Sequence, residues 1–228
     1  VIYSDLISKQ NIPNGIFLYI CIQNCTHMSK AEKTKQHIIE KTATLFNTKG
    51  YTSTSLSDIT EATGLTKGSI YGNFENKDEV AIEVYKYNAG LLSRTIQHSF
   101  GDEYPTSAEK LHAFVAFYRK NWPVVFSNGG CPLMNAATEA DDSFPALKPH
   151  VRSSFEIWMT KISTVIIQGK KNGEINEKVD AEKYASLFIM LIEGGILLSK
   201  TMGTQSFLNN ALDTITHMID HELIILPS

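Results

Sequence analysis

The sequence predicts an all-α fold on three observations: apolar residues recur at helical spacing, glycines and capping residues punctuate those runs, and prolines cluster in the middle. No proline falls from Met28 to Tyr104 or from Val151 to Leu226, while five of the seven lie between Pro105 and Pro149. The 228 residues therefore read as a helical front, a broken middle and a helical back. At 43% apolar and 20% charged, with a net charge of −3, the composition is that of an ordinary soluble protein of one or two domains.

Residues 1–27 carry a seven-residue apolar run at 16–22, with Lys9 as the only nearby cation and no clean cleavage site, which argues against a secretory signal. They are set aside as an extension, disordered or foreign to the native chain, and the recognisable domain opens at Met28. Over residues 33–49, Ile38, Ile39, Thr42, Ala43, Leu45 and Phe46 form the stripe of an amphipathic helix that Gly50 closes.

Between Thr54 and Lys77 the chain reads TSLSDITEATGLTKGSIYGNFENK. Thr54 or Ser55 caps a helix, Ser55 and Asp58 having capping-box spacing; Leu56, Ile59 and Ala62 give its apolar stripe and Gly64 ends it. A very short second helix must begin almost at once, with Thr66 as N-cap and Lys67, Gly68 and Ser69 in its first turn. Ile70 and Phe74 point inward, leaving Tyr71 and Asn73 on the other side, and Asn76 with Glu79 caps a third helix starting at Lys77.

A short helix carried rigidly across another, with small and cationic residues at its exposed start, is how side chains enter the DNA major groove. The unpaired N–H groups of its first turn favour phosphate, and Tyr and Asn hydrogen-bond phosphates or base edges. The candidate DNA contacts are Thr54, Ser55, Lys67, Gly68, Ser69, Tyr71, Asn73 and Lys77. From Met28 to Val80 seven lysines balance seven acidic residues, so attraction to DNA has to come from where Lys67 and Lys77 sit.

IIEKTATLF, GYTSTSLSDI, GLTKGSIYGNF and NKDEV, in this order between Lys33 and Tyr85, resemble the amino-terminal domain of the tetracycline-repressor (TetR/AcrR) family of bacterial transcription regulators. Gly72 departs from the pattern, standing where the family often carries an aromatic residue or His, and weakens its helix by about 1 kcal/mol relative to Ala. The resemblance implies a three-helix helix-turn-helix DNA-binding domain over residues 28–80 and a helical ligand-binding and dimerisation domain over residues 81–228.

The helix begun at Lys77 runs on through Tyr85, Leu91, Leu92 and Ile96 to about Ser99, a mechanical link between domains. A helix over 107–122 follows, with Leu111, Phe114, Val115, Phe117 and Tyr118 inside and Pro123 as its stop. Gly129 and Gly130 precede a short helix opened by Cys131 and Pro132. Residues 144–171 are helical over their later part, with Phe155, Trp158, Met159, Ile162 and Ile166 on one face. The last helices, 180–202 and 206–225, are the most apolar. The 14-residue run SLFIMLIEGGILLS, interrupted by Glu193 and a glycine pair, is too short for a membrane span of ~20 residues and broad enough to be buried against its own domain and a partner. In the resembled family this helix pair forms a four-helix bundle across a two-fold axis.

The helices between Ser107 and Gly173 are expected to enclose a mainly apolar pocket. Its candidate lining is Phe117, Tyr118, Trp122, Met134, Phe155, Trp158 and Met159, with Asn135 and Glu193 as polar orienters. Three cysteines, Cys21, Cys25 and Cys131, give neither a disulfide framework nor a zinc spacing and suit a reducing cytoplasm. Cys131 stands at a helix start, where the dipole favours a thiolate, and GGCPLMNAATEADD resembles the reactive-cysteine stretch of electrophile- and oxidant-sensing members of the family. The competing reading of Cys131 is a small buried hydrophobe.

The sequence carries no phosphate loop, nucleophile elbow or metal motif; Glu139, Asp141 and Asp142 read as a solvated helix end, and His217 and His221 as surface or interface packing. No enzyme activity, cofactor, metal or membrane partner is expected. The leading expectation is a cytoplasmic, dimeric repressor on a palindromic double-stranded DNA operator, released by a small-molecule inducer of unknown identity. Two alternatives stand beside it: a thiol-based redox or electrophile-sensing repressor using Cys131, and a helical interaction protein without DNA binding.

Overall fold

Capping chemistry sets where the helices of the front half begin. The computed structural model describes residues 29–225, and the expectations for residues 1–27 fall outside them. Helix α1 (Lys30–Lys49) starts earlier than its apolar stripe because Ser29 and Glu32 close a capping box: the Ser29 N–H donates to Glu32 at 2.7 Å and the Glu32 N–H to Ser29 Oγ at 3.2 Å. Ser55 and Asp58 do the same for α2 (Leu56–Thr63), and Gly64 ends it in the left-handed region at φ 70°. Thr66 caps the five-residue α3 (Lys67–Tyr71) by accepting from the Ser69 N–H. The α4 helix (Lys77–Gln97) has Asn76 as N-cap, but only half of the expected box forms, since Glu79 accepts from the Glu75 N–H at 2.6 Å instead.

Ile38, Phe46, Ile59, Ile70, Phe74, Val80 and Val84 bury their side chains almost completely and fuse α1 to α4 into one core. Tyr51 joins them, its ring centroid 5.8 Å from Phe46 and 6.0 Å from Tyr85. Each such side chain contributes about 1.5–3 kcal/mol of burial, enough together to hold α3 rigid although five residues form no stable helix alone.

The back half holds α5 (Ser107–Ser127), α6 (Pro132–Ala140), α7 (Lys148–Lys171), α8 (Ala181–Met202) and α9 (Ser206–Met218). Pro123 does not end α5, which runs through it to Ser127. A proline cannot donate to the carbonyl four residues back, and Gln205 Nε2 stands 3.5 Å from that carbonyl, Arg119 O, as a substitute donor. The segment before α7 is a 3₁₀ turn, Pro145–Leu147, so the helix starts at Lys148. The last helix is shorter than expected: α9 gives way to a π-turn at Ile219–Leu223, and Ile224 then bridges to Ile175.

Helix α8 reaches 22 residues, with a mean hydropathy of 1.5 over its most apolar stretch, so by length and composition it equals a membrane span, contrary to the shorter run read from sequence. Its Ala185, Phe188, Ile189, Ile192 and Ile196 are instead the core of the back half, packed on α7 and α9. Its other side leaves Met190, Leu197, Leu198 and Met202 about half exposed or more.

Candidate functional site

The outward face of α3 is built from the inside. Ile70 is fully buried and Phe74 nearly so, and this anchoring turns Lys67, Gly68 and Tyr71 to solvent, with Tyr71 48% exposed. Ser69 is half-buried beside them. A phenol and an ammonium held on a rigid five-residue helix, with no acidic side chain within it, offer donors to an approaching polyanion.

The remaining expected contacts divide. Ser55 is exposed and caps α2. Thr54 is a correction: it is fully buried, its hydroxyl donating to Gly50 O at 2.7 Å, so it supports the turn and offers nothing to DNA. Asn73 is half-buried and spends its amide on Ser69 O at 2.8 Å. Lys77 donates to Thr52 O at 2.7 Å, tying the start of α4 to the loop before α2.

That loop is also held from behind. Glu139, on α6, accepts from the backbone N–H groups of Tyr51 at 2.9 Å and Thr52 at 2.7 Å. Asn47, on α1, donates to Asn128 O and Gly130 O, and Asn135 donates to Gly129 O at 2.8 Å and to Asn47 O and Oδ1 at 3.1 Å. Lys200 of α8 donates to Gly129 O at 2.5 Å. The Gly129–Gly130 turn is thus the node where α1, α6 and α8 meet. Asn135 serves this latch instead of orienting a pocket ligand, and Glu139 belongs to it instead of a solvated end. Sequence reading missed both, because their partners lie about ninety residues away. Asp141 pairs with Lys148 at 2.5 Å.

Beneath the node lies a buried polar group. Cys131 is 2% exposed; burial first, then the Glu193 carboxylate beside it, push its thiol well above the usual range, outweighing the Met134 and Leu133 backbone N–H groups that lower it. Of the two readings of Cys131 open from the sequence, the structure favours the small buried hydrophobe, because burial outweighs the helix dipole. Glu193 as a residue is only half-buried, yet both its carboxylate oxygens are sealed from water, and burial, opposed only in part by the hydrogen-bonding Cys131 thiol beside them, pushes it up to about 7. The Tyr118 hydroxyl, coupled electrostatically to both, is sealed as well and unpartnered among the described residues.

The expected aromatic lining mostly packs on itself. Phe117, Tyr118, Trp158 and Phe155 form a run of ring contacts at 5.2, 6.2 and 6.3 Å, Trp122 lies tilted against Phe126, and Met134 and Met159 pack against the same core. A cleft of about 290 Å³ opens elsewhere, between α4 and α7 with Leu133 of α6 at its edge. Of the nine residues expected to line a pocket, only Trp158 borders it. Its titratable and hydroxyl-bearing members are Tyr85, Lys86, Ser93, His150, Ser153, Ser154 and Lys161. The signal for them was a helical face: Ser154, Trp158 and Lys161 follow at i, i+4 and i+7 on α7.

Residues 38–84 match the family model described as bacterial regulatory proteins, tetR family, and residues 107–215 match that described as tetracyclin repressor-like, C-terminal domain. The chain belongs to the tetR family. Among similar solved structures is a TetR-family transcriptional regulator from Cytophaga hutchinsonii, 36% identical, with a TM-score of 0.83 over 89% of this chain and 100% of that one. A TetR transcriptional regulator from Chloroflexus aurantiacus is 31% identical, with a TM-score of 0.79 over 87% and 100%. The HTH-type transcriptional repressor DhaR of Mycobacterium sp. (strain GP1) is 26% identical over 73% of this chain and 82% of its own. This TetR-family protein is a DNA-binding transcriptional regulator and not an enzyme.

Proposed function

We propose that the protein is a homodimeric repressor that holds a palindromic operator in the cytoplasm and releases it when a small molecule binds the back half. The domains divide at residues 28–80 and 81–228, the first reading DNA and the second sensing and pairing. The observation that carries the reading is the outward face of α3, with Lys67 and Tyr71 exposed on a helix fixed by buried Ile70 and Phe74. In a two-fold dimer, Lys67, Ser69 and Tyr71 of each copy enter successive major grooves about 34–36 Å apart. Ser55 and Lys77 contact the flanking backbone.

Pairing is supported by the apolar side of α8, where the described residues leave Met190, Leu197, Leu198 and Met202 about half exposed or more. Release is supported by α4, whose first residue, Lys77, is tied to Thr52 in the loop before α2 while Ala89, Gly90, Ser93 and Ile96 line the cleft. A ligand that prefers one seating of α4 shifts the spacing of the paired α3 helices; a coupling of ~1–3 kcal/mol weakens operator binding roughly 5–150-fold. The test is selection of bound duplexes from a random library, with stoichiometry read by light scattering. Enrichment of an inverted repeat bound by an even number of chains supports the reading, and failure to enrich any sequence defeats it.

A further inference from the structure

The cleft between α4 and α7 has a one-sided chemistry. None of its lining residues is an Asp or Glu, while Lys86, His150 and Lys161 border it together with the hydroxyls of Ser93, Ser153 and Ser154. Lys86 already has Glu83 at 2.7 Å. Among the described residues Lys161 has no carboxylate partner: its Nζ donates to Ser93 Oγ, at 3.0 Å, across from α7 to α4. The ammonium is partly withdrawn from water, and this desolvation alone lowers its pKa, with no opposing charge to offset it.

Leu92, Ile96, Leu133, Ile157 and Trp158 supply apolar walls around these donors. At about 290 Å³ the space lies at the lower end of the ~300–1,000 Å³ usual for ligand sites, which suits a single small ring or a short chain. An ammonium without a carboxylate partner among the described residues, set beside hydroxyls and facing apolar walls, selects an anionic head on an apolar body.

We propose that this cleft binds a small apolar carboxylic acid, its carboxylate on Lys161 and Ser93 and its body against Ile96, Ile157 and Trp158. The assignment rests on the ligand-responsive reading above and specifies the chemical class of that ligand. Because Lys161 and Ser93 stand on α7 and α4, a carboxylate that inserts between them displaces their mutual hydrogen bond. It thereby changes how α4 seats on the back half.

The test titrates the full chain by calorimetry with benzoate, phenylacetate and hexanoate, and with benzamide, phenylacetamide and hexanamide as neutral matches. At least one acid should bind ~10-fold or more tightly than its amide. Lys161→Met should erase that preference, and Lys161→Arg should retain most of it; thermal melting of both variants checks that they fold. No binding by any of the three acids, equal affinity for acid and amide, or an undiminished preference in Lys161→Met overturns the assignment. If an amide binds and weakens operator binding while the acids do not, the acid class is wrong and ligand response stands. If an acid binds selectively through Lys161 yet leaves operator affinity unchanged, the acid class stands and ligand release falls.

Discussion

Glu139 and Thr52 join the two halves of the chain: a carboxylate on α6 accepts the backbone N–H of the loop that leads into α2 at 2.7 Å, and that of Tyr51 at 2.9 Å. Both carboxylate oxygens are used, so the loop is gripped at two adjacent points from the back half.

Glu139→Ala leaves both N–H groups without this acceptor and should lower stability by about 1–3 kcal/mol, read from urea unfolding. Amide hydrogen exchange at Tyr51 and Thr52 should accelerate in the same variant. Unchanged protection at both amides would show that the grip is not what orders the loop.

The glycine node makes a graded prediction. An added Cβ at Gly129 meets Thr48 Cγ2 at 2.9 Å and Asn47 O at 3.0 Å, with φ at 88°, whereas one at Gly64, φ 70°, meets nothing within 4 Å. Gly64→Ala should therefore cost about 1–2 kcal/mol of left-handed strain alone, and Gly129→Ala clearly more, because the steric clash adds to the strain. Denaturation midpoints rank them, and equal losses would remove the close approach between α1 and the turn.

Glu193 gives a pH dependence of definite sign. Its folded pKa, about 7, lies above the ordinary 4.5 because burial opposes the charge, so the folded state holds a proton that the unfolded state has lost. Its contribution is favourable to folding below pH ~4.5, declines as pH rises between ~4.5 and ~7, and is flat above, with a total of about 3 kcal/mol at most. Glu193→Gln should abolish that part of the slope when both proteins are unfolded at one protein concentration from pH 5 to 8. Parallel curves would mean that the carboxyl is already ionised and solvated.

Much of the front half was legible because its signals are local. Ser55 with Asp58, Thr66, Gly64 and Asn76 each fix a helix end through a partner three or four residues away, and the structure places them there. Thr54 was misjudged because its hydroxyl is taken by Gly50 O, a turn contact that hydrophobic spacing does not reveal. The cleft escaped notice for a different reason. Aromatic side chains signal a core and a pocket equally, and here Phe117, Tyr118 and Phe155 pack into core while Lys161 and Ser93, 68 residues apart, border the open space.

Cys131 should be slow chemically. A thiol with 2% exposure, held above its usual pKa by burial and by Glu193, carries little thiolate at neutral pH. Peptide mass spectrometry after iodoacetamide treatment at pH 7.5 should find Cys131 largely unmodified in the folded protein and fully modified once the protein is unfolded. Rapid alkylation of the folded form would revive the thiol-sensing alternative.

The assignment of α3 as the reading helix is tested most directly by fluorescence anisotropy of a library-selected duplex with the wild-type chain, Lys67→Ala and Tyr71→Ala. Each variant should bind about 5–150-fold more weakly, as expected for loss of ~1–3 kcal/mol per contact, with the Lys67→Ala salt slope smaller by about one. Wild-type affinity and wild-type salt dependence in both variants would contradict it.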